Sequence, residues 1–218
     1  IGLETRVEFW KKIYSEYTTD HYVVHDINKL DIIYEVIYIK NGSQMSRRAR
    51  EYRLQRVKRK YKKLLLKIAR IKNPLSLSGD AKRVYHLVKS NFRKASRQIR
   101  VQVGQRDRFG KGIRVSGLYK DQINQIFSKA KLPLELTVLP HVESSFQVNA
   151  YSSAGAAGIW QFTRGTGRLF MRIGYDVDER RDPILSTVAA AKLLKLNFEA
   201  LQSWPLAVTA YNHGTQGM

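Results

Sequence analysis

Apolar positions recur at helical spacing over most of the chain and turn strand-like in two short stretches. Leu3, Val7, Trp10, Tyr14 and Tyr17 stand three and four apart, which predicts one amphipathic helix with a solvated basic face. From His21 to Ile39 the residues are β-branched and aromatic on either side of Asn28-Lys29, a pattern that predicts a small hairpin. Through residues 44–72, Leu54, Val57, Tyr61, Leu64, Ile68 and Ile71 make a heptad-like stripe among crowded Lys and Arg. This predicts a long basic helix stopped by Asn73-Pro74. Asp80 reads as the cap of a helix carrying Val84, Leu87, Val88, Phe92 and Ala95. Alternation at Ile99, Val101 and Val103, followed by Gly104, Gly110 and Gly112, predicts a short ribbon or loop close to a domain boundary.

Beyond Ser116 the pattern is one of short helices joined by Gly- and Pro-rich turns: Tyr119 to Lys129, Pro133 to Ser145, Thr163 to Arg172, Asp182-Pro183 to Leu201, and Trp204 to Asn212 capped by Ser203. The expected class is mainly α (α+β). A basic helical module with a small β-hairpin or ribbon would occupy 1–115, and a helical domain 116–218. Residue 1 is Ile, and the chain stops at Met218 directly after a motif placed inside that domain. Both ends are therefore expected to be cut, the second within that domain.

With 218 residues and 43% hydrophobic content the chain can bury a core. It has no Cys, which excludes disulfides, thiolate metal sites and thiol nucleophiles. No apolar run is long enough to span a bilayer. The net charge is +21 and uneven: residues 1–115 hold 29 Lys and Arg against 10 Asp and Glu, residues 116–218 hold 10 against 8. Such asymmetry points to an anionic partner and says little about fold.

In Leu139-Pro140-His141-Val142-Glu143-Ser144-Ser145-Phe146, the neighbours Leu136, Leu139, Val142 and Phe146 keep helical spacing. Glu143 is thereby expected near the buried side, at the carboxyl end of its helix. Desolvation and the helix dipole there both favour a neutral carboxyl, the state a general acid needs. An arbitrary Glu is more often a surface acid or a partner for a base; the order of the surrounding segments weighs against that here. His141 lies two residues away, a spacing that points its side chain elsewhere on a helix and disfavours a His/Glu dyad.

Four ordered blocks follow one another over about eighty residues. They are Glu143-Ser144-Ser145-Phe146, then Ala150-Tyr151-Ser152-Ser153-Ala154-Gly155-Ala156-Ala157-Gly158-Ile159-Trp160-Gln161-Phe162, then Asp178-Glu179-Arg180-Arg181-Asp182-Pro183, and last Ala210-Tyr211-Asn212-His213-Gly214. The stretch Leu132 to Gly214 resembles the lysozyme-like domain of family 1 lytic transglycosylases, related to goose-type lysozymes, and most resembles the membrane-bound, murein-degrading branch. The resemblance implies that Glu143 is the catalytic acid and that Ser144 follows it in the cleft. It implies that Gly158, Ile159, Trp160 and Gln161 form the cleft-lining turn, with small residues admitting a sugar ring, Trp160 shaping the wall and Gln161 contacting glycan. Tyr211 and Asn212 would face the acid and the substrate. Read as residues alone, Trp160 and Phe162 suit a core, and Gln161 and Asn212 could cap turns.

A two-carboxylate glycosidase would need a second acid about 5 Å away for retention, or roughly 6.5–9.5 Å away for inversion. Asp176 and Asp178 are the candidates; Asp182 is better explained as a helix cap, and Arg180 and Arg181 can pair with the others. The resemblance implies instead that the substrate's acetamido oxygen attacks, and that Glu143 serves first as acid and then as base. The expected function is cleavage of the β-1,4 bond between N-acetylmuramic acid and N-acetylglucosamine, by a lytic transglycosylase or lysozyme, with no metal and no organic cofactor. Expected partners are peptidoglycan glycan strands and, through the basic half, other anionic envelope polymers. The expected location is periplasmic or secreted. Two competing readings are a nucleic-acid-binding protein using the basic helix 47–72, which leaves the four blocks unexplained, and a non-catalytic wall-binding module, against which stands the retained Glu143.

Overall fold

A computed structural model of the chain describes residues 3–217. The fold divides into two compact units, one up to Arg108 and one from Phe109 onward. The first holds α1 (Leu3–Ser15), β1 (His21–Asp26), β2 (Ile33–Tyr38), α2 (Arg47–Ile68), α3 (Gly79–Val88), α4 (Phe92–Ala95) and β3 (Ile99–Val103). The sheet is antiparallel in the order β2-β1-β3, so the expected hairpin forms and the Ile99 segment returns to its other edge.

β1 is buried from Tyr22 to Asp26, because both of its faces are covered. Val23 packs with Phe9 and Ile13 of α1. Val24 packs with Tyr61, Leu65 and Ile68 of α2 and with Val84, Val88 and Ala95 of α3 and α4. A strand covered on both sides reads as a continuous apolar run, as Tyr22-Val23-Val24 does.

Several local expectations are corrected. In α1 the packed residues are Phe9 and Ile13, whereas Leu3, Val7 and Trp10 of the expected stripe are exposed. Two apolar stripes share this helix, and periodicity alone does not say which one meets the sheet. Asp80 is no cap: the helix begins at Gly79 after Ser78, and Asp80 lies in its first turn, paired with Lys60 at 3.0 Å and Arg83 at 3.3 Å. The single helix expected to reach Ala95 is broken into α3 and α4, where Lys89 and Asn91 take left-handed φ of 65° and 55°.

The second unit is built from α5 (Arg106–Ser116, whose first turn crosses the boundary), α6 (Lys120–Lys129), α7 (Leu139–Glu143), α8 (Arg164–Gly167), α9 (Pro183–Leu201) and α10 (Trp204–His213). The loop expected around Gly110 and Gly112 is α5. Gly112 serves close approach, since a Cβ there would stand 2.4 Å from the Ser145 carbonyl oxygen. The helix expected over Pro133 to Ser145 splits into a 3-10 turn, Leu134–Val138, and α7. That expected from Thr163 shrinks to α8, capped by the Thr163 side chain. α9 begins as read, with Asp182 accepting from Ile184 and Leu185 N–H and Pro183 in the first turn. Ala189, Ala190, Ala191 and Leu194 of α9 form the core with Phe127, Phe146, Ile159, Trp160 and Phe162. Small side chains on α9 let the bulky Trp160 fit beside it.

Candidate active site

α7 is one short turn that ends on Glu143. The chain then reverses sharply: Ser145 and Phe146 both occupy the left-handed region, at φ of 52° and 57°. Two successive non-glycine residues there cost about 1 kcal/mol or more each. The Phe146 ring offsets that cost by full burial, stacked on Tyr119 at 6.4 Å and beside His141 at 5.1 Å. The strain thus holds Glu143 at the very end of its helix.

Glu143 is half-buried, and among the described residues its one hydrogen-bond partner is Asn212, whose Nδ2 stands 3.5 Å from Oε1. Burial pushes its carboxyl above the ordinary carboxylate value, and the Asn212 contact acts weakly the other way. Asn212 comes from α10, so α7 and α10 meet at the carboxyl. His141 has no hydrogen-bond partner on Nδ1, packs between Phe109 and Phe146, and is held below its ordinary pKa by burial. It does not touch Glu143.

The turn Gly158–Gln161 is an internal scaffold more than an open wall. Gly158 has φ +77°, and a Cβ there would collide with the Arg180 carbonyl oxygen. The space expected to admit a sugar ring is therefore taken by protein. Ile159 and Trp160 are fully buried. Trp160 Nε1 donates to Thr187 Oγ1 at 2.8 Å, and its ring stacks on Phe127 at 5.8 Å. Gln161 Nε2 donates to the Gly158 carbonyl at 2.8 Å and so closes the turn. Ser144, expected to line the cleft, is buried, and its hydroxyl donates to the Ile159 carbonyl at 2.9 Å. It ties the residue after Glu143 to the turn.

Tyr211, expected to face the acid and the substrate, donates its hydroxyl to the Trp160 carbonyl at 2.8 Å. Burial and the nearby Glu143 carboxyl push its phenol well above the usual value, so it stays an O–H. The ring fixes the turn from the side of α10, next to Asn212.

Neither candidate second carboxylate contacts Glu143. Asp178 is spent on Arg180, taking Nε at 2.8 Å and Nη2 at 2.7 Å, and this pairing holds its carboxyl below the usual range. Asp176 is exposed. Among the described residues no group of three His, Asp or Glu stands together as a metal site would require.

Arg180 is the residue whose weight sequence reading missed. It is fully buried, and its Nη1 donates to the carbonyls of Gly155 at 2.9 Å and Phe162 at 3.0 Å. In sequence it sits inside Asp178-Glu179-Arg180-Arg181-Asp182, which looks like a solvated charge run. Only the proximity of the loop ahead of Phe162 makes it a buried tie.

The same region is where known proteins are similar. The family model described as transglycosylase SLT domain matches residues 124–218. Membrane-bound lytic murein transglycosylase D of Escherichia coli (strain K12) is 44% identical over 88 residues, which are 39% of this chain and 20% of that protein. The same protein of strain O6:H1 shows the same 44%. A protein of Alteromonas sp. (strain M-1) named for tributyltin chloride resistance is 36% identical over 88 residues, 42% of its length. The chain thus spans about a fifth of the length of the transglycosylases it matches. Residues 124–218, which hold Glu143 and the turn braced beside it, match the transglycosylase SLT domain.

Proposed function

We propose that this domain cleaves the β-1,4 bond between N-acetylmuramic acid and N-acetylglucosamine in peptidoglycan, as a lytic transglycosylase, with Glu143 as acid and then base. The observation that carries the reading is a half-buried carboxyl at a helix end, raised by desolvation, with Asn212 as its hydrogen-bond partner, while the candidate second acid Asp178 is engaged by Arg180. A protonated Glu143 gives its proton to the glycosidic oxygen as the C1–O bond breaks. The acetamido carbonyl oxygen of the same sugar attacks C1, closing an oxazolinium ring. The Glu143 carboxylate then takes the proton of the sugar's 6-hydroxyl, whose oxygen displaces the acetamido oxygen at C1 and leaves a 1,6-anhydro ring. The family match and the names of the relatives support this substrate class.

Periplasmic or secreted placement accords with that substrate. No helix among the described residues is long and apolar enough to cross a membrane. The exposed bases of α2, including Arg53, Arg56, Lys62, Lys63 and Lys67, are proposed to hold the protein to anionic envelope polymer.

Mass spectrometry of fragments released from purified peptidoglycan tests the reaction. The native chain should release anhydro-muramoyl ends, and Glu143→Gln should lower the rate at least about a hundred-fold while glycan still binds. Reducing ends would assign water as the final nucleophile. Undiminished turnover by the Gln variant would remove Glu143 from the chemistry.

A further inference from the structure

The reaction scheme leaves one built surface feature unused. Tyr151 is 57% exposed, yet it is held from several directions. Its backbone pairs with Ala157 to close a tight loop. Ser152 N–H donates to the Ala156 carbonyl at 2.8 Å, Gly155 N–H to the Ser152 carbonyl at 3.0 Å, and Ala156 N–H to Ser152 Oγ at 3.0 Å. The Tyr151 hydroxyl lies beside Gly155, 3.7 Å from where a Cβ there would stand, and the Gly155 carbonyl is held by Arg180 Nη1 at 2.9 Å. The Arg181 guanidinium carbon stands 5.9 Å from the Tyr151 ring centroid. Arg181 is exposed and forms no ion pair among the described residues. The residue before Tyr151 accepts from Gly158 N–H at 3.0 Å, so the ring stands at the shoulder of the Gly158–Gln161 turn.

A solvent-facing tyrosine ordinarily keeps its rotamer freedom, and packing gives no reason to fix this one. Fixing a ring while leaving it exposed lowers the entropy a ligand would lose on binding it. The C–H face of a pyranose is apolar and weakly positive, which complements the negative face of an aromatic ring. A guanidinium beside it adds a planar partner for a carboxylate.

We propose that Tyr151 and Arg181 form a saccharide subsite beside the Gly158–Gln161 turn, taking a sugar ring against the tyrosine and a carboxylate borne by that sugar against the guanidinium. The ligand class is an acidic amino sugar such as a muramoyl unit whose lactyl carboxylate carries no stem peptide; the proposal rests on the peptidoglycan reading of the adjacent site. A neutral N-acetylglucosamine oligomer can use the ring alone.

The test is calorimetric binding to the full chain in a Glu143→Gln background, with a muramoyl-containing tetrasaccharide and a neutral N-acetylglucosamine tetramer as probes. Tyr151→Ala should weaken both about five- to ten-fold, and Tyr151→Trp should retain both. Arg181→Gln should weaken the acidic tetrasaccharide about three- to five-fold and leave the neutral one unchanged. Matching thermal midpoints would show that the loop still folds. Unchanged binding in Tyr151→Ala, or equal weakening of both probes by Arg181→Gln, would overturn the subsite while peptidoglycan cleavage by the native chain continued. A native chain that neither binds nor cleaves peptidoglycan would overturn the enzymatic reading together with it.

Discussion

In the proposed mechanism Glu143 has to hold a proton at neutral pH and still release it to a leaving group, and its surroundings bear on both demands. Partial burial disfavours the carboxylate, while Asn212 Nδ2 at 3.5 Å favours it slightly. Asn212→Ala removes the one contact that lowers the pKa, so the pKa should rise further. Because cleavage needs the protonated form, the alkaline limb of the pH–rate profile should move to higher pH. The loss in kcat/KM at the optimum should stay below about ten-fold, since one long hydrogen bond is removed. A limb that stays in place, or moves to lower pH, would mean that Asn212 does not act through the Glu143 carboxyl. Tyr211 is a different case, since its hydroxyl donates to the Trp160 carbonyl and not to the acid, whose charge lies nearby.

At the scale of elements, the turn beside Glu143 is held by Ser144, Tyr211 and Arg180, from the C-cap residue of α7, from α10 and from the segment ahead of α9. Arg180→Met would leave Asp178 and two carbonyls without their donor, and should destabilise the second unit by about 3–5 kcal/mol in denaturant titrations. Asp178 has a depressed pKa, so its contribution is present above the unfolded value near about pH 4 and is lost as pH falls through the folded one. The gap between native chain and variant should therefore narrow in acid. A gap independent of pH would assign the effect to packing of the Arg180 stem.

On the scale of the whole molecule, charge separates the units: residues 1–108 carry 27 Lys and Arg against 10 Asp and Glu, residues 109–218 carry 12 against 8. Much of the α2 charge is solvated, but Lys60 is taken by Asp80 at 3.0 Å and Glu35 at 3.5 Å. The free bases are the ones to remove. Arg56, Lys63 and Lys67 replaced together by Gln should weaken binding to whole cell wall and flatten its salt dependence, since exposed charges are screened beyond about 8 Å at physiological ionic strength. Activity on short soluble glycans should not change. Normal wall binding with loss of duplex DNA binding would assign this surface to nucleic acid.

Ordered motifs and strong periodicity determined much by themselves: the hairpin between His21 and Ile39, the basic helix around Leu54 and Tyr61, the Asp182-Pro183 start of α9, and the block that contains Glu143. These features are local, since a cap, a proline or a helical stripe acts within a turn or two of itself. What α1 buries, where α3 breaks, why Gly112 and Gly158 must lack a side chain, and which carboxylate Arg180 consumes were decided by the tertiary structure. Each depends on an atom from a distant segment: Val23 behind Phe9, the Ser145 carbonyl over Gly112, the Arg180 carbonyl over Gly158, the Phe162 carbonyl beneath Arg180. Whether a side chain implied to line the cleft faces ligand or core depends on which neighbour occupies the space. For Gly158, Ile159 and Trp160 that neighbour is the protein itself.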